Sequence, residues 1–209
     1  MNTNQTVHSP LLIIGAGPGG YETALLAARR GIEVTLIEKG PVGGTCLNEG
    51  CIPTKAFCRH ARMLDDLQEA ETLGINNLSF LFDYHAVLRR KEQIIRQLRQ
   101  GVETLLQNKL IRRVTGCARF EDEHTVLVGE ERYSADHILI ATGSVSQMLP
   151  IPGHDLPHVM TSAEILNLRT TSSLCDWWRS DWLGVRFNFQ ELWQSGHRAG
   201  ILPGHPSAF

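Results

Sequence analysis

Cys46 and Cys51 lie five positions apart in the stretch Gly43-Gly44-Thr45-Cys46-Leu47-Asn48-Glu49-Gly50-Cys51-Ile52-Pro53-Thr54-Lys55. Two thiols at that spacing, at the start of a helix, meet only if the first turn is distorted. Gly50 and Pro53 supply the irregularity. A helix N-terminus lowers the pKa of a thiol and favours the nucleophilic thiolate. Thiol–disulfide exchange needs such a thiolate with a resolving partner beside it. The competing chemistry is zinc binding, which calls for two such pairs or for nearby histidines. Neither is evident in the sequence. Two unrelated core cysteines are the plainest alternative.

A second cluster precedes this one. Gly15-Ala16-Gly17-Pro18-Gly19-Gly20 fits G-x-G-x-x-G with glycines at 15, 17 and 20. Gly15 permits a tight turn, Gly17 lets the backbone approach a pyrophosphate, and Gly20 lets helix and strand pack closely. The helix that follows turns free N–H groups and a partial positive charge toward the phosphates. Glu38 lies at the distance expected of the residue that accepts hydrogen bonds from an adenosine ribose.

The elements that must hold these clusters follow from periodicity. Leu11–Ile14 is a short apolar run that reads as a buried parallel strand. Gly19–Arg30 is helical, with Tyr21, Ala24, Leu25 and Ala28 on one face and Gly31 as its stop. Glu33–Ile37 is a second strand, completing a β-α-β unit. Thr54 to about Glu71 is helical. Ala86–Lys109 is a longer helix with Leu88, Ile94, Ile95, Leu98, Val102 and Leu105 as its apolar stripe. Ile111–Phe120, Thr125–Val128 and Arg132–Ser134 read as an antiparallel meander. His137–Ala141 is another buried strand, closed by Thr142 and Gly143. Pro150–Pro157 is a loop, and Ser162–Leu168 starts a short helix. The fold class expected is α/β: a Rossmann-like parallel sheet with an antiparallel meander.

Composition narrows the function classes. The chain has 209 residues and a formal charge of −2, so it offers no electrostatic case for nucleic acid or an anionic membrane. No apolar run reaches the length of a membrane span. Met1–Pro10 lacks the pattern of a signal peptide. Five cysteines without a secretory signal favour a reducing cytoplasm, where a disulfide is catalytic rather than structural. Cys58, Cys117 and Cys175 have no partner at useful spacing, and His60 and His85 are expected on helices, in solvent.

Gly43–Lys55 closely resembles the active-site signature of the class I pyridine nucleotide-disulfide oxidoreductases, the family of dihydrolipoyl dehydrogenase, glutathione reductase and mercuric reductase. The wording Cys-Leu-Asn-x-Gly-Cys-Ile-Pro-[Ser/Thr]-Lys is most similar to dihydrolipoyl dehydrogenases. His137-Ile-Leu-Ile-Ala-Thr-Gly-Ser144 resembles the family's second FAD motif, and Gly153 with Ser162-Ala-Glu-Ile-Leu166 fits its continuation. The resemblance covers about Leu11–Leu168. It implies an FAD-binding domain over 1–168, with Cys46 as the interchange thiol and Cys51 as the thiol beside the flavin. Lys55 would sit near the flavin N5, Gly44 and Thr45 would line the FAD site, and Gly116, Thr142 and Gly143 would close it. It also implies electron flow from dihydrolipoamide through the disulfide and FAD to NAD, a lipoyl dithiol as substrate, and a part in cell redox homeostasis. Glutathione- or mercuric-reductase-like activity, or an inactive FAD-binding fragment, remain the alternatives. Family members are homodimers, which is expected of full-length members rather than of this chain.

The resemblance stops at the segment 169–209, which holds Trp177, Trp178, Trp182 and Trp193 and has no clean periodicity. Members of the family continue with an NAD-binding β-α-β unit. Codons for Cys175–Leu183, TGY GAY TGG TGG CGN AGY GAY TGG YTN, read one base later permit Val-Ile-Gly-Gly-Gly-Val-Ile-Gly. Two of its three fingerprint glycines are forced. The tail is therefore expected to be a frameshifted translation, and to be disordered. The FAD domain would then be incomplete, with an open sheet edge, and the NAD site would be absent. His205-Pro206 has the look of the family's catalytic His-Pro pair, but without its acidic partner it reads as coincidence.

Overall fold

A computed structural model describes residues 6–148, 150–156 and 159–169. The readings made on Cys175, the tryptophans, His205 and the tail beyond 169 fall outside the described residues. The described residues belong to two compact units, one within 1–52 and 95–145, the other within 53–94 and 146–209.

The first unit is built on a six-stranded sheet in the order β3-β2-β1-β6-β5-β4. Its strands are β1 (Val7–Ile14), β2 (Val34–Glu38), β3 (Ile111–Thr115), β4 (Ala118–Phe120), β5 (Thr125–Val128) and β6 (Glu131–Ile140). β3, β2, β1 and β6 run parallel, while β5 pairs antiparallel with both β6 and β4. Leu12, Ile13 and Ile14 are buried in succession, as a strand covered on both faces requires. Ile13, Leu36 and Ile111 join a core with Ala24, Leu25 and Ala28 of α1 (Pro18–Arg29). Leu12, Ile14 and Ile37 join a second core with Val126 of β5 and Tyr133 and Ala135 of β6. Within it, burial pushes the Tyr133 hydroxyl up to about 12, helped by its bond to the Glu131 carboxylate.

The parallel and antiparallel halves divide at a different place from the one expected. Ile111–Phe120 is not one strand. Ile111–Thr115 lies parallel to β2, and the chain turns at Gly116, whose N–H donates to the Glu38 carbonyl at 2.9 Å. A Cβ on Gly116 would lie 2.4 Å from Val128 Cγ1, so the turn packs directly on β5. Conversely, Arg132–Ser134 and the expected strand His137–Ala141, up to Ile140, are parts of one ten-residue strand, β6, which pairs with β1 from Val7↔Tyr133 to Ile14↔Ile140. β5 pairs with β6 only over 131–134, so among the described residues the outer edge of β6 beyond Ser134 has no strand partner.

Two further helices contribute to both units: α3 (Cys51–Gln68) and α4 (Tyr84–Leu105), while α2 (Gly44–Asn48) is a single turn in the first. The buried stripe of α4 and the residue after it runs Tyr84, Leu88, Lys91, Ile95, Val102 and Leu106. Leu98 and Leu105, expected on that stripe, are 42% and 55% exposed. The helical spacing from Ile95 to Val102 passes through Arg99, which is half-buried.

In the second unit Phe57 of α3 stacks on Tyr84 with ring centroids 6.5 Å apart. Both pack with Leu64, Val87, Leu88 and Leu166 of α5 (Ser162–Leu166). A capping box starts α5, Thr161 and Glu164 satisfying each other's backbone N–H. Lys91, 2% exposed, donates from Nζ to the Leu166 carbonyl at 2.7 Å and to Asn167 Oδ1 at 3.4 Å. Burial lowers its pKa, and the two oxygens are what make a buried ammonium tolerable. His60, expected in solvent, is half-buried and shares a hydrogen with the Ala56 carbonyl at 2.7 Å.

Two contrasts test this packing. Leu12→Ala, at a fully buried position of the central strand, is expected to cost about 3 kcal/mol, and Ile140→Ala, 62% exposed, less than about 1 kcal/mol, in denaturant unfolding. A Cβ on Gly20 would lie 1.8 Å from the Gly15 carbonyl oxygen, whereas Gly19 has open space. Gly20→Ala is therefore expected to lower stability by about 3 kcal/mol or more, and Gly19→Ala to leave the unfolding midpoint nearly unchanged.

Candidate functional site

The site grows from the carboxyl ends of the parallel strands, where open α/β sheets place their ligands. Gly15 continues β1, and its N–H donates to the Ile37 carbonyl of β2 at 2.8 Å. On the other side the Ala141 N–H donates to the Ile14 carbonyl at 2.8 Å. Gly15 adopts φ +103°, and a Cβ there would sit 2.3 Å from the Ala141 carbonyl oxygen and 3.2 Å from Thr142 Cα. The first glycine of the fingerprint thus packs against the start of the Thr142-Gly143 pair. Both residues of that pair are exposed.

Gly17 caps α1, and Pro18 is its first residue. Proline there wastes no donor, because the first-turn N–H groups have no partner within the helix. The first turn carries no acidic residue, so the positive helix end is open to an anion. Glu38 ends β2. Its Oε2 accepts the Ala16 N–H at 2.6 Å and its Oε1 the Gly40 N–H at 2.8 Å. A carboxylate has about four lone-pair sites, so about two remain for the hydroxyls of a ligand.

The cysteine stretch is docked on this turn through backbone alone. The Gly43 N–H donates to the Ala16 carbonyl at 2.8 Å. Gly44 has φ +60°, and a Cβ on it would lie 2.7 Å from Gly17 Cα and 3.3 Å from Pro18 Cδ. Only glycine fits where both the backbone angle and the neighbour forbid a side chain. The distortion expected between the cysteines takes the form of a break between two helices. α2 ends at Glu49, whose N–H returns to the Thr45 carbonyl at 2.9 Å, and α3 begins at Cys51. A Cβ on Gly50 would lie 3.0 Å from that same Thr45 carbonyl oxygen, so the chain between the helices is tightly folded back.

Cys46 is half-buried and Cys51 exposed, and both are thiols. Tyr21 of α1 has its hydroxyl pushed up by burial first, then by Glu22, with a smaller push from the neighbouring Cys46. Cys58 is half-buried in the second unit, and Cys117 is exposed.

The structure therefore links Gly15 to Thr142, Ala16 to Glu38, Glu38 to Gly116, and Gly17 to the loop that runs through Gly44 and Thr45 to Cys46 and Cys51. Gly20 supports the turn from beneath. Lys55 is exposed on α3 and belongs to the second unit. Two residues that the sequence reading did not single out hold the loop, Asn48 within it and Arg99 of α4. Asn48 donates to the carbonyls of Val42 at 3.1 Å and Gly44 at 3.0 Å. Arg99 donates to Asn48 Oδ1 from Nε at 3.1 Å and from Nη2 at 2.6 Å. The one signal in sequence for Arg99 is its place on the α4 stripe. Among the described residues no helix is long and apolar enough to cross a membrane.

Comparison with known proteins agrees with this geometry. Residues 9–179 match the family model for pyridine nucleotide-disulphide oxidoreductases. The chain is 42% identical over 164 residues to the dihydrolipoyl dehydrogenase of Bacillus subtilis (strain 168), covering 76% of this chain and 36% of that protein. It is 36% identical over 164 residues to the dihydrolipoyl dehydrogenase of Acholeplasma laidlawii, covering 76% of this chain and 49% of the relative. Among solved structures it is similar to the Cu(II) complex of the HOCl-induced flavoprotein disulfide reductase RclA from Escherichia coli. That likeness has a TM-score of 0.66 at 30% identity and covers 82% of this chain and 36% of the other. The chain thus spans between about a third and a half of the length of these relatives. The family match covers most of its residues, and the chain belongs to the pyridine nucleotide-disulphide oxidoreductase family.

Proposed function

We propose that this chain forms the FAD-binding, disulfide-bearing part of a flavin-dependent disulfide oxidoreductase of the dihydrolipoyl dehydrogenase type. The observation that carries the proposal is the contact of Gly44 with Gly17, which seats the cysteine loop on the glycine turn. The residues present fit FAD. The turn has no side chain where Gly15, Gly17 and Gly20 lie, the α1 N-terminus is open to a pyrophosphate, and Glu38 retains acceptors for ribose hydroxyls. In this reading Gly116, Thr142 and Gly143 would border the cofactor, and Gly44 and Thr45 would line it. Bound FAD supplies two-electron redox chemistry.

The cysteines perform the exchange. A thiolate of a lipoyl dithiol attacks Cys46 Sγ of the Cys46–Cys51 disulfide, forming a mixed disulfide and releasing the Cys51 thiolate. The second substrate thiolate then attacks the substrate sulfur of the mixed disulfide, closing the lipoyl disulfide and releasing the Cys46 thiolate. The two electrons now rest on the dithiol, of which Cys51 would be the thiol beside the flavin. NAD as final acceptor, a homodimer and a cytoplasmic location complete the proposal for the whole protein. Residues 1–168 are the FAD-binding segment. We read 169–209 as a frameshifted tail on the strength of the forced glycine codons. An intact gene reading with no second-frame continuation would refute that.

The test is spectroscopic. The purified chain reconstituted with FAD should be yellow, and anaerobic dihydrolipoamide should produce long-wavelength absorption from a thiolate against the flavin. Cys51→Ser should abolish that absorption and Cys46→Ser should leave it. Failure to bind flavin, or absorption that survives Cys51→Ser, would contradict the assignment.

A further inference from the structure

Asn48 lies two residues after Cys46 and three before Cys51, and its side chain makes four hydrogen bonds. Among the described residues Oδ1 accepts only from Arg99, and Nδ2 donates only to the Val42 and Gly44 carbonyls. The amide orientation is therefore unambiguous, because the opposite one would set donor against donor and acceptor against acceptor. Val42 and Gly44 flank Gly43, the residue whose N–H ties the loop to Ala16. The Asn48 amide thus joins the end of α2 to the segment that docks on the glycine turn.

Arg99 comes from a distant part of the chain, 51 residues on. It occupies the position of the α4 stripe between Ile95 and Val102, both of which are buried in the core of the same unit. That anchoring makes the guanidinium a fixed point. Two N–H groups on one oxygen define both the distance and the plane of the amide, which a lysine with one rotating ammonium does not.

We propose that Arg99, acting through Asn48, is a positioning residue for the Cys46/Cys51 redox couple. This rests on the reading of these cysteines as an exchanging pair. The clamp favours closure of the disulfide by limiting the positions open to the segment between the two sulfurs. Its loss shifts the couple toward the dithiol, by 2 glutathione + disulfide → glutathione disulfide + dithiol.

The test equilibrates the full chain with glutathione buffers of graded ratio, quenches with acid, and quantifies the oxidised fraction of tryptic peptide 40–55, which carries both cysteines. Arg99→Met should lower the equilibrium constant for disulfide closure about tenfold, or ~30 mV for a two-electron couple. Arg99→Lys, which keeps one donor, should fall between. Asn48→Asp keeps acceptors for Arg99 but removes the donors to Val42 and Gly44, and should shift the couple in the same direction. Combining Asn48→Asp with Arg99→Met should add little beyond the larger single effect, since the two residues act as one device. Arg132→Met, which breaks the bond pair with Glu121 on the same unit, is the control and should leave the couple in place.

Variants that unfold more easily yet keep the wild-type couple would overturn the proposal and leave Arg99 a structural residue. If Arg99→Met does not fold, Arg99→Lys and Asn48→Asp decide by the same criterion. A wild-type chain whose peptide 40–55 oxidises normally, with unmoved variants, defeats only this inference. A wild-type peptide that never forms the internal disulfide defeats the reading of the cysteines as well.

Discussion

The backbones of Gly17 and Gly44 touch, and the proposed site depends on that contact. A methyl group on Gly44 would fall 2.7 Å from Gly17 Cα, which no ordinary packing allows. The Gly43 N–H to Ala16 carbonyl bond runs alongside it, so two loops meet with no side chain between them. One loop is the glycine turn proposed to take a pyrophosphate, and the other carries two thiols. Their approach converts two separate motifs into one site, because whatever lies along the glycine turn lies close to the segment leading into Cys46. Glu38 reinforces this from below. Its carboxylate holds Ala16 and Gly40, and its carbonyl receives the Gly116 N–H that ends β3.

A second theme is the use of cations on a buried helical stripe. Lys91 and Arg99 stand on α4 where the repeat calls for apolar residues. A charge there costs free energy unless its donors are met. Each finds oxygen from a remote segment: Lys91 the C-terminal carbonyl of α5, Arg99 the amide of Asn48. Lys91 fastens a helix end in the second unit. Arg99 fastens the cysteine loop in the first. A leucine at either place could fill the volume but could not choose a partner.

What was legible in the sequence was local. The glycine turn, the β-α-β unit and the cysteine loop are contiguous, and each residue type there answers a nearby backbone requirement. Strand β2 and the second half of β1, Leu11–Ile14, were equally clear, because strands buried on both faces show as unbroken apolar runs, whereas residues 7–10, which begin β1, show none. The strand limits after Lys109 were less clear. Gly116 breaks a run that alternates too weakly to reveal a change of partner, and Asp136 and His137 interrupt β6 in sequence although the strand continues through them. The exposure of Leu98 and Leu105 against burial of Lys91 illustrates the same limit. Hydrophobic pattern ranks residues by side-chain type, whereas Arg99 holds its place by a partner 51 residues away.

The chain spans between about a third and a half of the length of the relatives it matches, and the activity of a whole protein of that size is part of the proposal. For the part of the chain described by this structure, the proposed function requires that dinucleotide and thiols share one site. The most direct measurement is the rate at which iodoacetamide alkylates Cys51 with and without FAD, taking the exposed Cys117 as internal reference. Shared occupancy predicts that FAD slows Cys51 several-fold and leaves Cys117 unchanged. FAD that binds tightly while both cysteines react at their original rates would contradict the account.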